Sequence, residues 1–165
     1  MEEREQVDIR TLSPQEFWAQ RRRLGDIYRR AYRGLEIYAY TFPGEVHSYL
    51  RWLYRGDPEM FLVAYNGGEP VGFLSGHRYW YDRQLGEVGN IHEFVVDPEF
   101  HRRGIGRALL REAIRRFSRD HSWVMLWVGE GNKRARAFYR KMGFEEVGRA
   151  GIWIKMRKHI SKESL

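Results

Sequence analysis

FHRRGIGRALLREAIRRF, Phe100 to Phe117, is the stretch on which the reading of this chain turns. Gly106, Leu109, Leu110, Ala113, Ile114 and Phe117 recur at helical spacing, with Arg107, Arg111, Arg115 and Arg119 on the other side. A helix so placed begins on Arg102-Arg103-Gly104-Ile105-Gly106. The first turn of any helix leaves main-chain N–H groups unpaired, and the helix dipole makes that end positive. Glycine has no Cβ and lets the main chain close around a ligand. Two glycines at a helix start therefore predict an anion cradle, to which Arg102, Arg103 and Arg107 add charge, and its natural occupant is a phosphate or pyrophosphate. The pattern GxxxxGK[ST] is absent, and a dinucleotide fingerprint would need glycine where Leu109 stands. On these residues alone, a loop glycine ahead of an ordinary helix is the other reading.

Working outward, Val7 to Leu12 reads as a strand, and Ser13-Pro14 as a helix cap followed by proline at the first helical position. That helix is expected to reach about Arg33, before Gly34. A second helix spans Glu45 to Arg55 and stops at Gly56-Asp57-Pro58. Phe61 to Tyr65 and Pro70 to Tyr79 read as strands joined by a turn at Asn66-Gly67-Gly68. Gly89 to Val96 is a further strand closed by Asp97-Pro98, and Trp123 to Val128 a buried one. Asn132 to Met142 reads as a helix with Ala135, Phe138 and Met142 inward, and Glu146 to Met156 as one last strand. Strands and helices mix without strict alternation, which predicts a single α/β domain over residues 1–165 with mixed strand directions.

The strand ending Phe94-Val95-Val96-Asp97-Pro98, the cradle, a second strand and then NKRARAFYRKMGF (Asn132–Phe144) form an ordered set. It resembles the GNAT superfamily of acetyl-CoA-dependent N-acetyltransferases. The family loop [QR]-x-x-G-x-[GA] reads here His101 to Gly106, with His in place of Gln or Arg at its first position. The later segment N-x-x-A-x-x-[FL]-Y-x-x-x-G-F is matched at Asn132, Ala135, Phe138, Tyr139, Gly143 and Phe144. The likeness is firm over about residues 60–157 and only architectural before that. It implies a central twisted sheet of six to seven strands flanked by helices. Two of those strands would splay to admit the donor, acetyl-CoA, as co-substrate. The main chain of Phe94, Val95 and Val96 would pair with its pantetheine arm, Arg102, Arg103, Gly104, Ile105, Gly106 and Arg107 would hold its pyrophosphate, and Asn132, Ala135 and Tyr139 would line its path.

The resemblance also implies chemistry. Tyr139 is the candidate general acid, because a phenol can hydrogen-bond the departing thiolate. A protonated alkylamine must lose a proton before it attacks, and Asn90-Ile91-His92-Glu93 supplies candidate bases. His92 is the first choice and Glu93 the second, since strand alternation puts Glu93 on the opposite face unless a bulge intervenes. A water chain is the alternative to either. Tyr38, Tyr40 and Phe42, with Glu36 and Glu45, suggest an aromatic acceptor wall for an amine on an apolar body, or else a clasp closing the core; Glu130 is a further candidate to orient a cation. Small-molecule amine, peptide N-terminus and lysine side chain all remain open as acceptor.

Composition narrows the rest. The chain has no cysteine, which excludes disulfides, thiol nucleophiles and Cys-based zinc sites, and its six histidines lack metal-ligand spacing, so no metal is expected. No apolar run approaches the roughly 20 residues of a membrane span, and the polar start MEEREQVDIR carries no visible secretory signal, so the expected address is cytoplasmic, with no membrane partner. The net charge of +7 favours an anionic partner. A basic nucleic-acid-binding module is one rival, although nucleic acid is not expected; an acyl-CoA sensor without catalysis is another. A homodimer is suggested only by the habit of the resembled family.

Overall fold

The computed structural model describes residues 7–161. Seven strands form one sheet: β1 (Asp8–Arg10), β2 (Phe61–Asn66), β3 (Glu69–Asp82), β4 (Gly86–Val96), β5 (Trp123–Gly129), β6 (Glu145–Ala150) and β7 (Trp153–His159). Their spatial order is β1-β2-β3-β4-β5-β7-β6, antiparallel throughout except for the parallel pair β4–β5. Among the described residues four α-helices flank it: α1 (Pro14–Ala31), α2 (Pro43–Gly56), α3 (Ile105–Phe117) and α4 (Lys133–Lys141). The expected mixed α/β sheet flanked by helices is the architecture found.

Each sheet face has its own core. Phe17, Leu24, Ile27 and Tyr28 of α1 and Val46, Leu50 and Leu53 of α2 pack on Phe61, Val63, Phe73 and Val95. On the other face Leu109, Leu110, Ala113 and Phe117 of α3 pack on Leu62, Leu74, Ile91, Val124 and Leu126. Alternation along β2 and β3 divides their residues between the two cores. The start of α1 follows its sequence: Ser13 Oγ accepts from the Glu16 N–H at 3.1 Å while the Ser13 N–H donates to the Glu16 carboxylate at 2.9 Å, with Pro14 next to the cap. Asp97, fully buried at the end of β4, anchors α1 through Arg23 at 3.0 Å and Arg30 at 3.3 Å.

Two expectations need correction. The single last strand, Glu146 to Met156, is a hairpin of two, β6 and β7. Gly151, at φ 59°, takes the left-handed conformation that turns the chain between them. β6 is exposed along its whole length, so it lacks the apolar alternation that would mark a separate strand. The third strand runs on to Asp82, because its last residues pair with Gly86–Val88 in a long hairpin.

Candidate active site

β4 and β5 pair only where Gly89–Ile91 faces Val124–Leu126. β4 continues to Val96 and β5 to Gly129, so the two strands part beyond Ile91 and Leu126. A cavity of about 570 Å³ occupies the gap. Phe94 and Glu93 line it from β4, Trp127 and Val128 from β5, Asn132 and Tyr139 from the α4 side, and several tyrosines of the α1–α2 region close it.

The loop Arg102–Gly104 and the start of α3 stand beside this gap. Gly104 is the N-cap of α3 at φ 81°, and no side chain caps the helix, so its first-turn N–H groups point outward unclaimed. The first main-chain bond into the helix comes from Ala108 N–H to the Gly104 carbonyl at 3.0 Å. Space beside Gly104 is open: a Cβ there would meet nothing within 4 Å. A Cβ on Gly106 would come within 3.4 Å of the Phe94 ring, which joins the cradle to the cavity wall. Arg102, Arg103 and Arg107 are exposed; Arg103 lies over the Phe100 ring at 5.0 Å and lines a second cleft with Asp8 and Gly67. A pyrophosphate fits this donor set. The Ile105 side chain is buried in the core, which leaves only its main chain to face a ligand, and Val95 turns to the opposite core. Neither Val95 nor Val96 lines the cavity. His101, at the position where Gln or Arg was the pattern, donates from Nε2 to the Val96 carbonyl at 3.1 Å and so ties the loop to the end of β4.

The candidate bases are separated by a bulge. Ser75 faces Glu93 while Gly76 faces Ile91, so β4 carries one extra residue there. His92 and Glu93 therefore both line the cavity, and Glu93 turns toward the α1–α2 side with Val95 instead of away from it. Glu93 is 7% exposed. Its Oε2 accepts from the Tyr32 hydroxyl at 3.1 Å and the Tyr49 hydroxyl at 3.4 Å, whereas Oε1 is buried without a protein partner. Burial pushes its carboxyl up to about 7, against the smaller opposing pull of the two hydroxyls. His92 sits otherwise. Asn90 Nδ2 lies 3.3 Å from His92 Nδ1, and His92 Nε2 contacts His77 Nδ1. Asn90 Nδ2 is also 3.5 Å from His92 Nε2, so the amide sits against the edge of the ring. Burial, then His77, lowers the His92 pKa to about 4. Trp52 and Trp80 enclose the ring at 5.1 Å and 4.6 Å.

Tyr139 is 6% exposed and lines the cavity with Phe94 beside it at 6.1 Å between ring centres. Burial, and then the Glu93 charge, raise its phenol well above the ordinary value, so it stays protonated at neutral pH. Asn132 caps α4, accepting from Ala135 N–H at 3.3 Å, and both residues line the cavity.

This arrangement matches a known family model. Residues 21–144 match the model described as the acetyltransferase (GNAT) family. The chain belongs to the GNAT acetyltransferase family. This GNAT chain is 40% identical over 137 residues to an uncharacterized N-acetyltransferase of Methanocaldococcus jannaschii, a match covering 82% of this chain and 61% of that longer relative. It is 47% identical over 92 residues to the N-alpha-acetyltransferase RimI of Mycobacterium tuberculosis, covering 53% of each. Its fold follows the crystal structure of PH1933 from Pyrococcus horikoshii OT3 with a TM-score of 0.84 at 35% identity, over 93% of this chain and 98% of that one. As a GNAT member it is an acyltransferase. No helix among the described residues is long and apolar enough to cross a membrane.

Sequence reasoning missed Tyr32 and Tyr49, which bond Glu93, and His77, which engages His92. The spacing of Tyr28 and Tyr32, four apart at the C-terminal end of α1 with Tyr32 as its C-cap, signals a shared face but not what that face meets. Among the basic residues of α3, Arg115 and Arg116 are held by Glu112 at 2.6 Å and 2.9 Å.

Proposed function

We propose that the protein transfers the acetyl group of acetyl-CoA to a primary amine by direct attack with both substrates bound. The observation that carries this reading is the parting of β4 and β5 beyond Ile91, with a donor cradle near one end of the gap and a buried, raised-pKa carboxylate in its wall. Acetyl-CoA supplies the activated acyl carbon. The unclaimed N–H groups at the start of α3, with Arg102, Arg103 and Arg107, hold its pyrophosphate. The β4 edge from Phe94 to Val96 offers main-chain groups to the pantetheine, and Asn132 and Ala135 flank its path.

An alkylamine of pKa about 10 is protonated at pH 7, a handicap near 4 kcal/mol. Glu93 removes it, directly or through a water: Oε1 has no protein partner, and a carboxyl near 7 is half ionised at neutral pH. Tyr32 and Tyr49 fix its orientation from Oε2. His92, low in pKa and bonded on both nitrogens, supports the wall instead. The Tyr139 phenol, protonated and buried in the gap, donates toward the departing sulfur.

Release of free CoA thiol in the presence of a panel of primary amines tests the proposal. We expect amine-dependent release that drops in Tyr139→Phe. A Tyr139→Phe variant with unchanged turnover removes the acid from the mechanism, and thiol release that no amine accelerates removes the transfer itself.

A further inference from the structure

The cavity wall is one-sided in charge. Among the described residues that line it, Glu93 is the one carboxylate, and there is no lysine or arginine. Cations on the neighbouring strands are already engaged: Arg149 of β6 with Glu130, and Lys155 of β7 with Asp82. The arginines Arg23, Arg29, Arg30 and Arg33 line an adjoining cleft, on the far side of Tyr32, Ala39 and Tyr40, and none of them lines the cavity itself. Beside Glu93 the wall is instead a run of tyrosine rings. Tyr28 lies 4.9 Å from Tyr32 and 5.7 Å from Tyr49, and Tyr49 lies 4.9 Å from Tyr40, centre to centre. Ile37, 72% exposed, and Tyr40 extend this surface to the mouth.

We propose that the acceptor is a primary amine on an uncharged aromatic or apolar body, and that an amine bearing a carboxylate on the adjacent carbon is rejected. This rests on the transfer reading above and names its substrate class. When Glu93 is ionised to take the amine's proton, a second carboxylate a few ångströms away meets a like charge, loses its water and finds no cation among the residues that line the cavity. The tyrosine rings, by contrast, accept an ammonium on their faces and an apolar body against their edges. Two sources share this chemistry: arylalkylamines, and peptide N-termini, whose adjacent carbonyl is a neutral amide.

Three probes with one side chain separate the cases: phenethylamine, phenylalaninamide and phenylalanine. Each is assayed for CoA release at saturating acetyl-CoA, and for binding to the protein loaded with CoA by calorimetry. Phenethylamine and phenylalanine have amines of similar basicity, so that pair isolates the carboxylate. We expect phenethylamine and phenylalaninamide to exceed phenylalanine at least tenfold in kcat/KM and in affinity, a gap of about 1.4 kcal/mol or more. A lead of the amide over the amine points to peptide N-termini as the source, and the reverse to arylalkylamines. In Tyr40→Arg, which brings a cation to the exposed wall, the gap should narrow. Phenylalanine equal to or better than phenethylamine, no binding of any probe, or a gap unmoved by Tyr40→Arg overturns the proposal. The expected binding order without turnover upholds it and overturns the transfer reading alone.

Discussion

Glu93→Gln separates the cost of the buried carboxylate from its use. In the folded chain the carboxyl is pushed from the ordinary 4.5 to about 7 by burial. Below pH 4.5 it is neutral folded or unfolded, and its burial costs no charge. Between 4.5 and 7 the unfolded chain ionises while the folded one resists, so this group's contribution to folded-state stability falls as pH rises through this window and levels off above about 7. At about 1.4 kcal/mol per pH unit, the loss from this group is roughly 3 kcal/mol at pH 8 and less than about 1 kcal/mol at pH 5. Glutamine does not titrate. Its amide keeps the acceptor for Tyr32 and Tyr49 but buries an N–H₂ where Oε1 has no partner, at a cost of about 1–3 kcal/mol that is the same at every pH. The signature is therefore the change with pH. From pH 5 to 8 the wild type should lose about 2–3 kcal/mol more than Glu93→Gln. In thermal unfolding that is roughly 5–10 °C for a chain of this size. Over the same range the variant should be slower by about 10²–10⁴ in kcat/KM and lose the rise in rate near pH 7. Parallel stability profiles for the two proteins, or full activity in Glu93→Gln, would refute the reasoning.

Three further outcomes follow from the geometry. His92→Gln should keep most of the activity and the same pH limb near 7, because the proton acceptor is Glu93; a fall of about 10² or more would make His92 the base. Gly104→Glu should abolish the rise in melting temperature that CoA gives the wild type, about 2.7 kcal/mol at 100 times its Kd, beyond the 1–2 kcal/mol or so that a side chain costs at φ 81° without ligand; an unchanged CoA shift would move the cradle elsewhere. Asp97→Ala strips the buried partner of Arg23 and Arg30 and should destabilise the fold by about 3–5 kcal/mol in chemical denaturation. A loss below about 1 kcal/mol would show that the anchor of α1 lies elsewhere.

What could be read ahead of the structure was whatever local chemistry dictates. The start of α3 was legible because a glycine ahead of an apolar-periodic stretch marks a helix boundary, and Gly104 is its N-cap at φ 81°. The Ser13 cap, the Gly67-Gly68 turn and the inward face of α3 were legible for the same reason: each depends on neighbours in sequence. The last strand misled because an exposed edge strand carries no apolar alternation, so only Gly151 marks the turn. The preference for His92 over Glu93 came from its place counted back from the loop in the resembled family, from two-residue alternation and from an ordinary histidine pKa. Long-range structure adds what local pattern lacks: a bulge opposite Ser75 and Gly76 brings Glu93 into the cavity beside His92, and Asn90, His77 and two tryptophans surround the His92 ring. Tyr32 and Tyr49 reach Glu93 from positions 61 and 44 residues away, a meeting that no local pattern encodes.

The central claim is that the gap between β4 and β5 seats the donor. A crystal structure of the protein with CoA tests it most directly. We expect the pyrophosphate on the main-chain N–H groups of residues 102–107, the pantetheine between β4 and β5 along Phe94 to Val96, and the sulfur in the cavity lined by Glu93 and Tyr139. CoA bound outside this gap, or β4 and β5 zipped together past Ile91 with the ligand present, would contradict it.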